Sequence, residues 1–390
     1  MRRFIGLLLL VAAIGVVVWY GMKKRGASPG APSTSAGNGD FRVVKGYIGG
    51  EKSGFLADPE IAKILKDKYG MQVDAAKRGS IEMVTGDVAG QDFLWPSSQF
   101  AAEVFRKRRA SAGEQASSDI VFNSPLVFYS WDIIADALQR QNVVAKRGET
   151  YMLSEAPGFV KMISEGKKWK DIGVPQLYGR VTIYSTDPER SNSGTMFAAL
   201  LATLLNDGDV VDDAAAEKHL PAIRQFFSRM GYMEGSSADL FKQFLNTGVG
   251  ANPIIVGYEN QMIEYSIEHP EQLPVLQQSV RVIYPQPTMW SSHPVIPLTD
   301  AGRKFLEAMK DPDVQRLAWE RHGFRSGLAA VQNDVRGLKL RGVPPRIESV
   351  VPMPSSEVME KILEALRAND AQPGTETTGT TGTTATNTSS

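Results

Sequence analysis

The chain has 390 residues, of which 42% are hydrophobic and 22% charged, enough apolar content for two or three domains or one two-lobed unit. Lys+Arg and Asp+Glu both total 43, a balance that argues against nucleic acid as a partner. The chain contains no cysteine, which excludes disulfide frameworks, thiolate metal sites, cysteine nucleophiles and a cysteine-linked lipid anchor, and four histidines leave little material for metal or general-base chemistry. The first 25 residues hold five basic and no acidic side chains, so the rest of the chain carries a net charge of −5.

Phe4 to Met22 is an uncharged run of 19 residues. As a helix it spans about 28 Å, close to the hydrocarbon thickness of a bilayer. Trp19 and Tyr20 suit the membrane interface, and Lys23, Lys24 and Arg25 disfavour cleavage just beyond it. Residues 1–25 are therefore expected to be a membrane anchor, with a cleaved signal segment as the alternative. Basic residues flank both ends, so charge does not fix its orientation. Residues 26–40 have the Gly, Pro and Ser content of a linker, and the Thr/Gly-rich residues 369–390 that of a disordered tail.

Between them, apolar strands alternate with amphipathic helices. Phe41–Ile48 reads as a strand and Pro59–Tyr69 as a helix with Asp58 as N-cap and Gly70 past its end. Met71–Ala76 is a strand and Ser98–Arg109 a helix. Ile120–Phe122 and Leu126–Tyr129 are short β runs around Asn123-Ser124-Pro125. Val181–Tyr184 is a strand before the helix Gly194–Leu205. Ile254–Val256 leads into the helix Tyr258–Ile267, Val280–Tyr284 is β, and the helices Ala301–Met309 and Asp313–Arg321 precede Gly323. This alternation predicts an α/β protein with mostly parallel sheets, whose ligands bind at loops leaving the carboxyl ends of strands.

Four such loops stand out. Gly46–Gly54 lacks the glycine a phosphate-binding P-loop needs before Lys52-Ser53, yet Gly50 allows backbone N–H groups to face a ligand and Ser53 adds a hydroxyl. Gly79 and Ser80 end the second loop. In the third, Ser191, Asn192, Ser193, Gly194 and Thr195 open an apolar helix with more capping side chains than one helix end needs, which predicts a clamp for an anion or polar group. Tyr258 and Asn260 close the fourth. A calcium loop at Asp207–Asp213 is rejected because Val211 and Lys218 occupy positions that need oxygens, and the cluster Arg106–Arg109 reads as a solvated helix end. No nucleophile–base pair, metal set or cofactor motif can be assembled, so no enzyme activity is expected.

The stretch from Val280 to Gly327 resembles the C-terminal return of periplasmic solute-binding proteins, most of all the molybdate-type branch, in His293-Pro294-Val295, Phe305–Lys310, Asp311-Pro312, Val314–Arg321 and Gly323-Phe324. Asp119–Ser130 resembles the family's first crossover strand, and Asp187-Pro188 followed by Ser193-Gly194-Thr195 its second-lobe ligand loop. The resemblance covers about residues 41–330. It implies a type II periplasmic-binding-protein fold: two α/β lobes joined by two crossover hinge strands, with residues 41–124 plus 284–368 as one lobe and 125–283 as the other. Ser53 and Ser80 would line the first lobe. Asn123 and Ser124 would lie at the hinge, and Ser191, Ser193, Gly194, Thr195 and Tyr258 in the second lobe. It further implies capture of a small molecule or oxyanion outside the cytoplasm, without a cofactor, and delivery to an ABC-type permease; a membrane-tethered sensor or scaffold reusing the fold is the alternative. The chain departs from the pattern at Glu51-Lys52, at Glu259, which would repel an oxyanion if it faced the cleft, and in an insertion at Gln141–Gly173. These departures suit a solute larger than a tetrahedral oxyanion, cationic or zwitterionic in character.

Overall fold

The computed structural model describes residues 41–329 and 331–370. The apolar run Phe4–Met22, the linker at 26–40 and the tail beyond residue 370 lie outside them. Among the described residues no helix is long and apolar enough to cross a membrane.

The strands are β1 (Arg42–Ile48), β2 (Met71–Lys77), β3 (Phe93–Trp95), β4 (Asp119–Trp131), β5 (Val144–Arg147), β6 (Thr150–Leu153), β7 (Ile254–Tyr258), β8 (Val280–Pro285), β9 (Trp290–Pro297) and β10 (Arg325–Ser326). The longer helices are α1 (Pro59–Tyr69), α2 (Gln99–Ser111), α3 (Asp132–Arg140), α4 (Ala156–Ser164), α5 (Asn192–Leu205), α6 (Asp213–Ser228), α7 (Ser237–Thr247), α8 (Glu259–Glu268), α9 (Asp300–Met309), α10 (Pro312–His322) and α11 (Ser356–Asp370). α1 forms where the local signals place it. The Asp58 carboxylate accepts the N–H groups of Glu60 and Ile61, Pro59 supplies a preset φ, and Gly70 leaves the helix at φ +60°.

The sheet runs β2-β1-β3-β9-β4-β8-β6-β5, with β7 and β10 also pairing to β4. β4 organises the molecule. Its first half pairs antiparallel with β9 up to Pro125, and from Leu126 onward it pairs with β7 and β8. The two short runs expected around Asn123-Ser124-Pro125 are thus one strand of 13 residues. Pro125, which has no N–H to give to a ladder, sits where the strand changes partners. The returning chain crosses beside it, where Leu126 N–H donates to Met289 (3.0 Å) and the Thr288 hydroxyl to the Leu126 carbonyl (2.6 Å).

Apolar side chains gather on both sides of this crossing. One core packs Phe55, Phe93, Trp95, Phe122, Phe305 and Phe324. The other is built around α5, whose residues Ser193 to Leu204 are all buried. A helix without a polar face must be enclosed, and α4, α6 and α11 enclose it. The insertion Gln141–Gly173 forms the β5–β6 hairpin and α4, extends the sheet through β6 on β8 and adds Val144, Phe159, Ile163 and Trp169 to this core.

Among the described strands only β1–β2, β1–β3 and β6–β8 pair parallel. The expected mostly parallel sheet is instead mostly antiparallel, because β4 and β9 run back through it. Two further elements also differ from the sequence reading. Val181–Tyr184 is no ladder strand: Val181 N–H turns to Lys167 (2.7 Å), and only Tyr184 reaches β7, so its backbone groups are divided between two neighbours. The helix α11, assigned to the first lobe from sequence, places Val358, Met359, Ile362 and Leu366 in the core around α5.

Candidate functional site

The loops after β1, β2 and β3 face the segments before α5 and α7 and the end of β7 across a cleft of about 640 Å³. Gly50, Gly79, Ser80, Ser191, Thr195 and Tyr258 of the sequence candidates line it. The others are placed elsewhere. Ser53 Oγ is buried and has no hydrogen-bond partner. Asn123 lies within β4, opposite Ser292 and Arg325. Ser124 Oγ accepts the Asn260 N–H (3.2 Å). Ser193 Oγ is held by Thr186 Oγ1 (2.6 Å) and Ser191 Oγ (2.9 Å), beneath the surface rather than at it. Gly194 is required by packing: a Cβ there would lie 2.3 Å from the Thr186 carbonyl oxygen.

Helix starts converge on the cleft. Ser191 is the N-cap of α5 but makes no side-chain cap bond, so its hydroxyl is spent on Ser193 and the helix end stays open. Asn192 turns across the cleft, its Nδ2 donating to the Ser97 carbonyl (2.8 Å) on the far wall and to Tyr258 Oη (3.0 Å). Tyr258 caps α8 and Ser97 precedes α2. Ser236 and Ser237, at the start of α7, complete the lining and were missed in the sequence. Their signal was legible: Ser236-Ser237-Ala238-Asp239 before an apolar helix is a capping pattern, and the Ser236 hydroxyl accepts the Asp239 N–H (3.2 Å). Such ends concentrate partial positive charge and N–H donors. Lys77, Arg78 and Arg190 add full positive charge, with Arg78 stacked 3.9 Å from the Tyr47 ring, and Glu82, Glu189 and Asp239 bring negative charge to the same lining.

The cleft floor holds a buried ionic cluster. Lys52, fully enclosed, donates to the Glu51 carboxylate, to Ser97 Oγ (2.9 Å) and to His293 Nδ1 (3.0 Å), 241 residues away in sequence. Ser97 Oγ also donates to Glu51. Burial pushes the Glu51 carboxyl up, but the Lys52 ammonium beside it, with His293, outweighs this and holds it well below the usual range. Burial lowers Lys52, opposed by Glu51. Burial, then Lys52, pushes the His293 imidazole down to about 4, so the ring is neutral. Burial and, second, Glu51 push the Tyr258 phenol upward, keeping it a neutral hydroxyl.

Glu259 is absent from the cleft. Its carboxylate is paired bidentately with Arg325 (2.6 and 2.8 Å) and accepts the Tyr284 hydroxyl (3.0 Å), so the repulsion foreseen from sequence does not arise. The arrangement can desolvate a small polar molecule between two walls of preset donors. Among the described residues no three His, Asp or Glu side chains cluster as a metal site.

No protein-family model and no curated protein sequence matches the chain. Solved structures resemble it in shape. The substrate-binding protein of an ABC transporter from Agrobacterium tumefaciens superposes with TM-score 0.53 and 15% identity, over 85% of this chain and 96% of that one. Iron-bound HitA from Pseudomonas aeruginosa gives 0.55 and 13% identity over 84% and 98%. A periplasmic thiamin-binding protein gives 0.54 and 12% over 87% and 99%. At such identities the likeness is one of fold. The chain has the mixed α/β, two-lobed fold of periplasmic binding proteins.

Proposed function

We propose that the chain is an extracytoplasmic solute-binding protein that captures a small polar or anionic ligand between its lobes and passes it to an ABC-type permease. The observation that carries this reading is the convergence of the starts of α2, α5, α7 and α8, with Tyr258, Lys77, Arg78 and Arg190, on one cleft between the two cores. No bond is made or broken: affinity comes from donors already in position when the ligand arrives. The resemblance in sequence to the molybdate-type branch points to an oxyanion, whereas a 640 Å³ cleft suits a larger solute than a tetrahedral one. The run Phe4–Met22 would hold the protein at the membrane with its folded part outside the cytoplasm. That tether, together with Lys23, Lys24 and Arg25, also favours a second reading, a membrane-bound sensor or scaffold built on the same fold.

The test is a thermal-shift panel of oxyanions, amino acids, sugars and polyamines on the purified full chain. A ligand at 100 times its dissociation constant adds roughly 2.7 kcal/mol of stability. The expected result is a hit that is lost in Arg190→Ala and weakened in Ser191→Ala. Hits that survive both substitutions would place binding elsewhere and overturn the cleft as the site.

A further inference from the structure

The two oxygens of Glu51 are in different circumstances. Oε1 receives Lys52 Nζ and Ser97 Oγ and lies 3.5 Å from His293 Nδ1. Among the described residues Oε2 receives no hydrogen bond. The carboxylate is 8% exposed, and Glu51 lines the cleft. That oxygen faces the cleft with no protein donor, so a ligand N–H can take the place of the water that otherwise solvates it. Lys52 cannot turn to it without abandoning Ser97 and His293.

The rest of the cleft carries both signs, Lys77, Arg78 and Arg190 against Glu82, Glu189 and Asp239. The open start of α5 and Arg190, whose guanidinium lies against Gly235 at the start of α7, present N–H groups and positive charge from the facing wall. A bare oxyanion seated there would leave Oε2 unsatisfied and most of the 640 Å³ filled with water. A simple cation could meet Glu51 but would leave the open start of α5 and Arg190 without an anion.

Resting on the solute-binding reading above, we propose that the solute is dipolar: a small organic zwitterion whose ammonium or amidinium N–H groups meet Glu51 Oε2 and whose carboxylate or phosphate meets the start of α5 and Arg190. The Glu51–Lys52 pair then plays two parts. Lys52 keeps the carboxylate ionised inside the protein, and Glu51 spends one oxygen on Lys52 and the other on the ligand. Glu51 is the residue that sets specificity.

The experiment titrates the full chain calorimetrically with matched probes: the protein amino acids and phosphoethanolamine as zwitterions, glycerol phosphate, succinate, sulfate and molybdate as anions without an N–H group, and putrescine as a cation. At least one zwitterion is expected to bind about tenfold or more tighter than its anion-only counterpart, the scale of one charge-assisted hydrogen bond. Glu51→Gln is expected to remove that preference while leaving the anionic contact. Because this variant leaves Lys52 buried without its counter-charge, the paired variant Glu51→Gln/Lys52→Met serves as a folded control and is expected to show the same loss of preference. Anions binding the parent protein as tightly as zwitterions, or a preference for zwitterions that survives in the paired variant, would overturn the dipolar ligand; if binding still falls in Arg190→Ala, the cleft remains the site. A folded protein that binds no member of the panel overturns both readings.

Discussion

His293 ties the site to acidity. Burial and the neighbouring Lys52 depress its imidazole from an ordinary 6.5 to about 4. A group whose folded value lies below its unfolded one contributes stability that is complete above the unfolded value and lost as pH falls. The contribution of His293 is therefore intact at neutrality and lost between about pH 6.5 and 4, amounting to roughly 3 kcal/mol at about 1.4 kcal/mol per pH unit for one proton. Denaturant midpoints are expected to fall across that window, and His293→Gln is expected to flatten the slope; an unchanged slope in the variant would assign the acid sensitivity to other groups. Glu51 acts in the same direction further down, since its carboxyl too is held below the ordinary range by Lys52 despite burial. At this scale the sequence was partly legible. Ser191 and Tyr258 announced themselves because each stands between a strand or its loop and a helix start, a purely local signal. Lys52 with His293 did not, because no local rule links side chains 241 positions apart. Glu259 misled for the same reason: its partner Arg325 comes from another part of the chain.

α5 shows how an element can be positioned by one missing side chain. Its first turn passes under the loop Thr186–Pro188 so closely that a Cβ on Gly194 would meet the Thr186 carbonyl at 2.3 Å and the Pro188 nitrogen at 2.7 Å. These are backbone atoms and cannot swing away. Gly194→Ala is expected to cost about 1–3 kcal/mol and to tilt the helix start that faces the ligand, weakening binding as well as stability. Gly50→Ala, with nothing within 4 Å, is the contrasting case and is expected to stay within about 0.5 kcal/mol of the parent in a chemical-denaturation series. The notable tolerance of one loop glycine and intolerance of another would be missed by composition alone. The helices with clean caps, such as α1, were legible from sequence. β4 was read as two pieces because Pro125 breaks the strand pattern locally, while tertiary pairing on both sides carries the strand through it. Val181–Tyr184 erred the other way, an apolar β pattern whose backbone partners are divided between two neighbours.

For the whole molecule, the direct tie across the cleft is Asn192 Nδ2 to the Ser97 carbonyl. Asn192→Ala removes it without altering either core, and the unliganded protein is expected to show a larger radius of gyration by small-angle scattering and a weaker affinity for any cleft ligand. An unchanged radius would mean that packing, not this bond, holds the walls together. The overall arrangement was legible in the return from Val280 to Gly327, because a strand, two capped helices and Gly323 occur there in a fixed order. The seat of α11 was not, since an amphipathic helix declares that it has a partner face but not which surface will cover it.

Arg325 gives that arrangement an uneven stiffness. Its Nε and Nη2 grip Glu259 at the first turn of α8, while Nη2 also donates to the carbonyl of Pro344 (2.6 Å) and Nη1 to that of Pro345 (3.2 Å) on the segment that runs on to α11. Three stretches of chain are thereby riveted near the crossing of β4 and β9, one of them at Glu259, directly after the cleft-lining Tyr258. A body pinned at one place and loose at another moves as a jaw does, with little travel at the joint and most of it at the lips. On the proposed solute-binding reading, opening is expected to be smallest beside Tyr258 and Glu259 and largest where Gly79 faces the Arg190 backbone.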